Sequence, residues 1–170
     1  MLTQRVQKLK DALGPGFEAA LVQTGANKFY LLDFDAGDAG TLLVLPERLV
    51  YFIDSRYIEA ARRDIHHAEV VPEKNVLAQV AELLEQQGVR RLFLEDKITV
   101  AQCRRAKEKL AGVELDAGPA LSEALSGLRA IKDEQEIGRM RQAQRITDDC
   151  FAHILPFIKE GVREVDLMLE

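Results

Sequence analysis

No apolar run in this sequence approaches the ~20 residues that a membrane span needs. The opening residues, Met1-Leu2-Thr3-Gln4-Arg5, lack the apolar stretch of a secretory leader. Cysteine is scarce: Cys103 and Cys150 lie far apart and fit neither a metal-ligand nor a redox spacing. A reducing cytoplasm is therefore the expected setting, with no membrane partner. Positive charge is in deficit, with 23 Lys+Arg against 28 Asp+Glu and a net charge of -5, which argues against nucleic-acid binding. Phosphate-loop glycine patterns are missing too; Gly37-Asp38-Ala39-Gly40 reads as a flexible turn. What is present, 47% hydrophobic and 30% charged residues over 170 positions, describes a soluble globular protein with a genuine core.

Apolar spacing predicts a first helix over 1–13, with Leu2, Val6, Leu9 and Leu13 on its inner face, stopped by Gly14-Pro15-Gly16. A buried strand is expected over 19–22, then a helical turn through Leu32 capped by Asn27. Two β runs, 41–45 and 48–53, flank Pro46-Glu47 and should pair as an antiparallel hairpin. Asp54-Ser55 reads as a helix start, 69–71 as a short strand, and Asn75 as the cap of a helix ending at Gly88. Next come a strand at 91–94, a helix capped by Thr99, a strand at 112–115 and a helix over 120–128. Alternating strands and helices with one hairpin predict an α/β fold: a mixed sheet flanked by helices.

The pattern changes near residue 130. Asp133-Glu134-Gln135-Glu136 is a capping box, and from it one long C-terminal helix can run to Ile158, ~39 Å at ~1.5 Å per residue. Ile137, Met140, Ala143, Ile146, Cys150, Phe151, Ile154, Leu155 and Ile158 make a single apolar stripe along it. Pro156 should bend or weaken its end, and Gly161 should close the unit. Such a stripe needs a covering surface. Either the helix folds back on its own sheet, or the chain is the front part of a larger protein. The second reading gives two segments, an α/β domain over 1–128 and a linker with the first helices of another domain over 129–170.

Candidate chemistry is thin. His66 and His67 are adjacent, so on a strand they would face opposite ways and could not chelate one ion together. His153 has Asp149 four residues before it, a local pair. Asp33-Phe34-Asp35 has the form of a phosphatase nucleophile loop. The acidic pair that such chemistry needs at a strand end is present only as Asp148-Asp149, in the middle of a helix. Counted from Asp33 as a calcium loop, the twelfth position is Val44, where a Glu is required. Packing is the expected role of both cysteines.

Several segments nevertheless resemble one family. Arg129-Ala130-Ile131-Lys132-Asp133-Glu134-Gln135-Glu136-Ile137 resembles the start of the catalytic domain in the creatinase/aminopeptidase P/prolidase family. Met140-Arg141-Gln142-Ala143 and Ile158-Lys159-Glu160-Gly161-Val162-Arg163-Glu164 are similar to the next segments of that domain. Asn27-Lys28-Phe29-Tyr30-Leu31, Ala39-Gly40-Thr41-Leu42-Leu43-Val44 and Asp54-Ser55-Arg56-Tyr57 resemble its amino-terminal domain. The loop between Tyr30 and Thr41 is one residue longer than the family's usual form, and Asp33 stands where Gly is usual.

The resemblance implies a ribonuclease H-like amino-terminal domain ahead of a pita-bread metallopeptidase domain. That second domain holds two divalent metal ions (manganese, cobalt or zinc) on strands beyond Glu170. It implies a parent that is a homodimer and hydrolyses proline-containing peptides as an Xaa-Pro aminopeptidase or dipeptidase. This chain would hold no catalytic metal and be inactive alone, serving dimerisation and shaping of the active-site entrance. Arg56, Tyr57 and Asp54 are the substrate-entrance candidates; Arg is a bidentate carboxylate binder and Tyr an amphipathic contact. Arg56 could instead pair locally with Asp54 or Glu59. Ile137, Met140, Ile146, Phe151 and Ile154 are the association candidates. A non-enzymatic protein- or peptide-binding module of the same family is the alternative.

Overall fold

A computed structural model describes residues 4–170; Met1, Leu2 and Thr3, including the inner-face position expected for Leu2, lie outside the described residues. The chain forms two compact units, the first ending at Ala130 and the second running from Ile131 to Glu170.

The first unit follows the alternation in the sequence. Its helices and strands are α1 (Gln4–Leu13), β1 (Ala19–Val22), α2 (Gly25–Leu32), β2 (Thr41–Val44), β3 (Leu49–Ile53) and α3 (Ile58–Asp64). They continue with β4 (Glu69–Pro72), α4 (Val76–Gln86), β5 (Arg91–Leu94), α5 (Val100–Lys109), β6 (Glu114–Asp116) and α6 (Ala120–Ala130). The six strands form one mixed sheet in the order β4-β3-β2-β1-β5-β6. β2 runs antiparallel to both neighbours, β1 and β3, while β3/β4, β1/β5 and β5/β6 are parallel. The expected hairpin is therefore β2–β3, with Val44 opposite Leu49.

Helices cover both faces, so the central strands are apolar throughout rather than alternating with polar residues. Leu49-Val50-Tyr51-Phe52-Ile53 is buried at every position. The period of two still sorts the side chains. Leu49, Tyr51 and Ile53 join the core under α1, α2, α3 and α6, while Val50 and Phe52 join the one under α4 and α5. Val80 and Leu84, four residues apart on α4, are both fully buried against that second face. Each such burial stabilises by about 1.5–3 kcal/mol, and Leu84→Ala, by also leaving a cavity, costs about 2–5 kcal/mol.

Apart from shifts of one or two residues at strand and helix ends, the first unit differs from the sequence expectations at these positions, each for a local reason. Thr24, not Asn27, holds the cap position of α2, and Asn27 is buried one turn inside it. α3 starts at Ile58 rather than at Asp54-Ser55, because the Asp54 carboxylate is taken by Arg56. β6 starts at Glu114 because Gly112, at φ +92, makes the turn before it. His66 and His67 lie in the connection between α3 and β4, not on a strand; His67 Nε2 sits 3.0 Å from the Leu31 carbonyl.

The second unit holds α7 (Glu134–Ile154), a single 3-10 turn (Leu155–Phe157) and α8 (Glu164–Leu169). Asp133 caps α7 as expected: its side chain accepts from Glu136 N at 2.8 Å, and Glu136 accepts from Asp133 N at 3.0 Å. The α-helix ends at Ile154, short of Ile158, because Pro156 has no N–H to continue the ladder and tightens the last turn. His153 pairs with Glu170 at 3.1 Å rather than with Asp149. Cys150 is exposed and so does not pack, whereas Cys103 on α5 is half-buried.

Candidate functional site: a crevice at the carboxyl edge of the sheet

The chain leaves β1 through α2 toward β2 on one side and leaves β5 through α5 toward β6 on the other. The adjacent parallel strands β1 and β5 thus form a topological switch point, the place in an open α/β sheet where a crevice opens outside the carboxyl ends of the strands. A cleft of ≈ 530 Å³ lies there, lined by Thr24, Asp38, Thr41, Asp54, Glu73 and Lys97 among others. A second compartment of ≈ 480 Å³, reaching Lys74 and Arg105, shares Gln23, Thr41, Glu73, Ile98 and Gln102 with it. Five of the lining residues reflect strand direction. Thr24, Asp54, Glu73 and Lys97 sit just past the ends of β1, β3, β4 and β5, and Thr41 opens the reversed strand β2.

Glu95, the first residue past β5, is buried at 6% exposure. Its carboxylate is fully occupied: Gln23 N and Thr24 N donate to Oε2 at 2.6 and 2.8 Å, and Asn27 Nδ2 donates to Oε1 at 2.6 Å. Arg129 Nη1 then donates to Asn27 Oδ1 at 2.9 Å, tying the end of α6 to the same network. A buried carboxylate is tolerated only with this degree of hydrogen bonding. Its task is to hold the β1–α2 turn in place.

The loop between α2 and β2 is fixed from below. Lys28, 2% exposed, donates from Nζ to the Ala39 and Gly40 carbonyls at 2.6 and 2.7 Å. Burial pushes its ammonium pKa below the ordinary lysine value, against the pull of Asp38, Glu95 and Glu73. Tyr51 donates its hydroxyl to the Ala39 carbonyl at 3.1 Å. Burial, with Asp54 as the leading nearby charge, pushes that phenol up to about 12. Asp33 takes a left-handed conformation, φ 52, at the end of α2, and its N–H donates to the Phe29 carbonyl at 2.8 Å. That position favours Gly and tolerates Asp, which accounts for the departure seen in the sequence.

Asp54, Arg56 and Tyr57, the substrate-entrance candidates, come together. Asp54 accepts from Arg56 N at 2.9 Å, from Nε at 3.1 Å and from Nη2 at 2.7 Å. These bonds hold the Asp54 carboxyl below, and the Arg56 guanidinium above, its usual range. The Arg56 guanidinium carbon lies 5.4 Å from the Tyr57 ring centre. Of the two local pairings open to Arg56, the one with Asp54 forms; Glu59 pairs with Arg62 instead. Arg56 and Asp54 line the crevice, while Tyr57 packs against the core under α1, α2, α3 and α6.

In the second unit no residue is buried. Met140 and Ile146 are each 58% exposed and Phe151 62%, with Ile137 also exposed and Ile154 half-buried. Among the described residues of the whole chain, no three His, Cys, Asp or Glu side chains converge in a way that could hold a metal ion. The residues present do not fit a dinuclear metal centre.

Sequence reasoning passed over Glu95, Asn27, Lys28 and Thr41 as functional positions. One signal was available: Glu95 ends the apolar run Leu92-Phe93-Leu94, and a charge at the carboxyl end of a buried strand is where α/β sites form.

Residues 4–131 match the family described as the Creatinase/Prolidase N-terminal domain. The uncharacterized peptidase YqhT of Bacillus subtilis is 29% identical over 164 residues, which is 95% of this chain and 45% of that protein. The solved Xaa-Pro dipeptidase from Bacillus anthracis superposes with a TM-score of 0.82 at 29% identity, covering 96% of this chain and 46% of that one. An Xaa-Pro aminopeptidase structure from Streptococcus pyogenes gives a TM-score of 0.68 at 31% identity, covering 73% of this chain and 96% of that one. The chain spans about half the length of the curated relatives it matches.

Proposed function

The chain belongs to the creatinase/prolidase family through its N-terminal domain, and on that premise we propose that it is the non-catalytic, amino-terminal part of an Xaa-Pro metallopeptidase. The observation that carries the reading is the match itself: the family's N-terminal domain fills residues 4–131, and the chain spans 45% of its Bacillus subtilis relative and 46% of the Bacillus anthracis dipeptidase. In this reading, hydrolysis of proline-containing peptides by two divalent ions such as manganese, cobalt or zinc is the work of the whole protein.

In this reading the chain has two physical tasks. The exposed stripe of α7, with Ile137, Met140, Ile146, Phe151 and Ile154, is an association surface that serves assembly into a homodimer. Arg56, held by Asp54 through Nε and Nη2 and set beside Tyr57, keeps Nη1 available to meet a substrate carboxylate at the active-site entrance. The working compartment is the cytoplasm, where Cys103 and Cys150 remain free thiols.

Assay of the purified chain on an Xaa-Pro dipeptide with manganese tests this reading. No turnover is expected. Robust turnover that co-purifies with the chain contradicts it.

A further inference from the structure

The segment 36–40 between α2 and β2 has no regular secondary structure, and its Asp38, Ala39 and Gly40 form one wall of the crevice. It hangs between two left-handed positions, Asp33 at φ 52 and Gly40 at φ 77. Two buried side chains tie it down from below. Lys28 Nζ donates to the Ala39 and Gly40 carbonyls, and the Tyr51 hydroxyl donates to the same Ala39 carbonyl. Lys28 is thus a full charge under cover with no carboxylate among its hydrogen-bond partners in the described residues. Neutral carbonyls compensate the lost hydration of an ammonium only in part. The carboxylates that act on it, Asp38 of the segment, Glu95 past β5 and Glu73 past β4, do so at longer range. Arg129 of α6 is bonded to Asn27 instead.

Covering the ammonium and keeping its proton oppose each other. Burial, the leading cause, lowers the Lys28 pKa below the ordinary 10.5. Lifting the segment returns Nζ to water and to that ordinary value, so proton loss and closure favour each other. Tyr51 has the opposite sign. Its phenol moves from 10.0 up to about 12 under cover, so it opposes closure only at pH above about 10. We propose that segment 36–40 is a proton-coupled lid: it lifts from a charged Lys28, opening the crevice at the Asp38 wall, and is held shut over a neutral one. The assignment rests on Lys28 and the segment above it, and stands whether or not the peptidase reading holds.

The test is NMR of the 170-residue chain, isotope-labelled at its alanine methyls and lysine Cε, from about pH 7 to about pH 10. Lys28 Cε reports its own titration, and relaxation dispersion at the Ala36 and Ala39 methyls reports lifting on the microsecond-to-millisecond scale. Lys28 is expected to titrate below 10.5. The lifted population should be level below that midpoint and fall above it, by about tenfold in all for each pH unit separating the midpoint from the ordinary value. The fully buried Ala19 and Ala61 methyls should show no dispersion. Asp38→Asn removes the leading charge that favours the ammonium, at an exposed position. It should move the Lys28 midpoint and the fall in lifting to lower pH together. An absence of dispersion at about pH 7 overturns the lid. So does a Lys28 midpoint at or above the ordinary value, a lifted population that stays level or rises through the midpoint, or a fall in lifting that fails to follow the midpoint in Asp38→Asn.

Discussion

Asn27 Nδ2 donates to Glu95 Oε1 at 2.6 Å across 68 positions of sequence, joining the second helix of the fold to the end of its fifth strand. Because Glu95 is buried and meets two backbone N–H groups as well, its removal strands three donors at once. Glu95→Ala is expected to destabilise the first unit by about 3–5 kcal/mol, read by chemical denaturation. A loss under about 1 kcal/mol contradicts the network's role.

Tyr51 gives a pH signature. Its phenol is pushed up to about 12, whereas the ordinary value is 10.0. Above the ordinary value the unfolded chain loses this proton first and the folded chain keeps it. The contribution, about 2–3 kcal/mol, is therefore fully present below pH about 10 and is lost between about 10 and about 12. Lys28, with its pKa lowered by burial, acts in the opposite sense, its cost easing as pH rises. That effect is common to the wild type and Tyr51→Phe, so it cancels in their difference. Denaturation curves across this range should show a steeper alkaline decline for the wild type than for Tyr51→Phe, and parallel declines contradict the assignment.

Gly40 and Gly37 separate strain from clash. Both have positive φ, +77 and +56, but a Cβ on Gly40 would lie 2.7 Å from the Phe52 carbonyl oxygen, and one on Gly37 meets nothing within 4 Å. Gly37→Ala should cost about 1 kcal/mol, the conformational term alone. Gly40→Ala should cost at least about 2 kcal/mol more, because backbone must move. Equal melting temperatures for the two variants would show that the loop yields freely.

Arg56 is exposed, and its tie to Asp54 is a surface pair of small energetic value. Arg56→Ala should leave the melting temperature within about 2 °C. On the proposed reading, in which this chain is part of an Xaa-Pro peptidase, the same change in the whole protein is expected to lower kcat/KM for an Xaa-Pro dipeptide by about tenfold, the effect of one lost charged contact to substrate. An unchanged kcat/KM assigns Arg56 to the local pair alone.

The fold was largely legible because each layer left its own period in the chain. Continuous apolar runs such as Leu49-Val50-Tyr51-Phe52-Ile53 mark strands covered on both faces, and Val76, Val80, Leu83 and Leu84 mark a helix covered on one. Caps at Asn75, Thr99 and Asp133 were legible because their partners lie three residues on. The Asn27 cap misled because its true partner, Glu95, is remote, and sequence spacing carries no signal for a bond of that range. Lys28 was hidden for the same reason: a lysine in an amphipathic helix reads as solvated, and only the loop folded over it shows why it is buried. Of the candidate sites, the Asp54-Ser55-Arg56-Tyr57 cluster was readable as a local motif, whereas the crevice arises from strand order, which no local pattern encodes.

The most direct measurement is the mass of the chain in solution by light scattering as concentration rises. With Met140, Ile146 and Phe151 open on α7, mass is expected to increase with concentration, and Ile146→Lys with Phe151→Lys should return it to that of one chain. A wild-type chain that stays strictly monomeric at high concentration contradicts the role assigned to this helix.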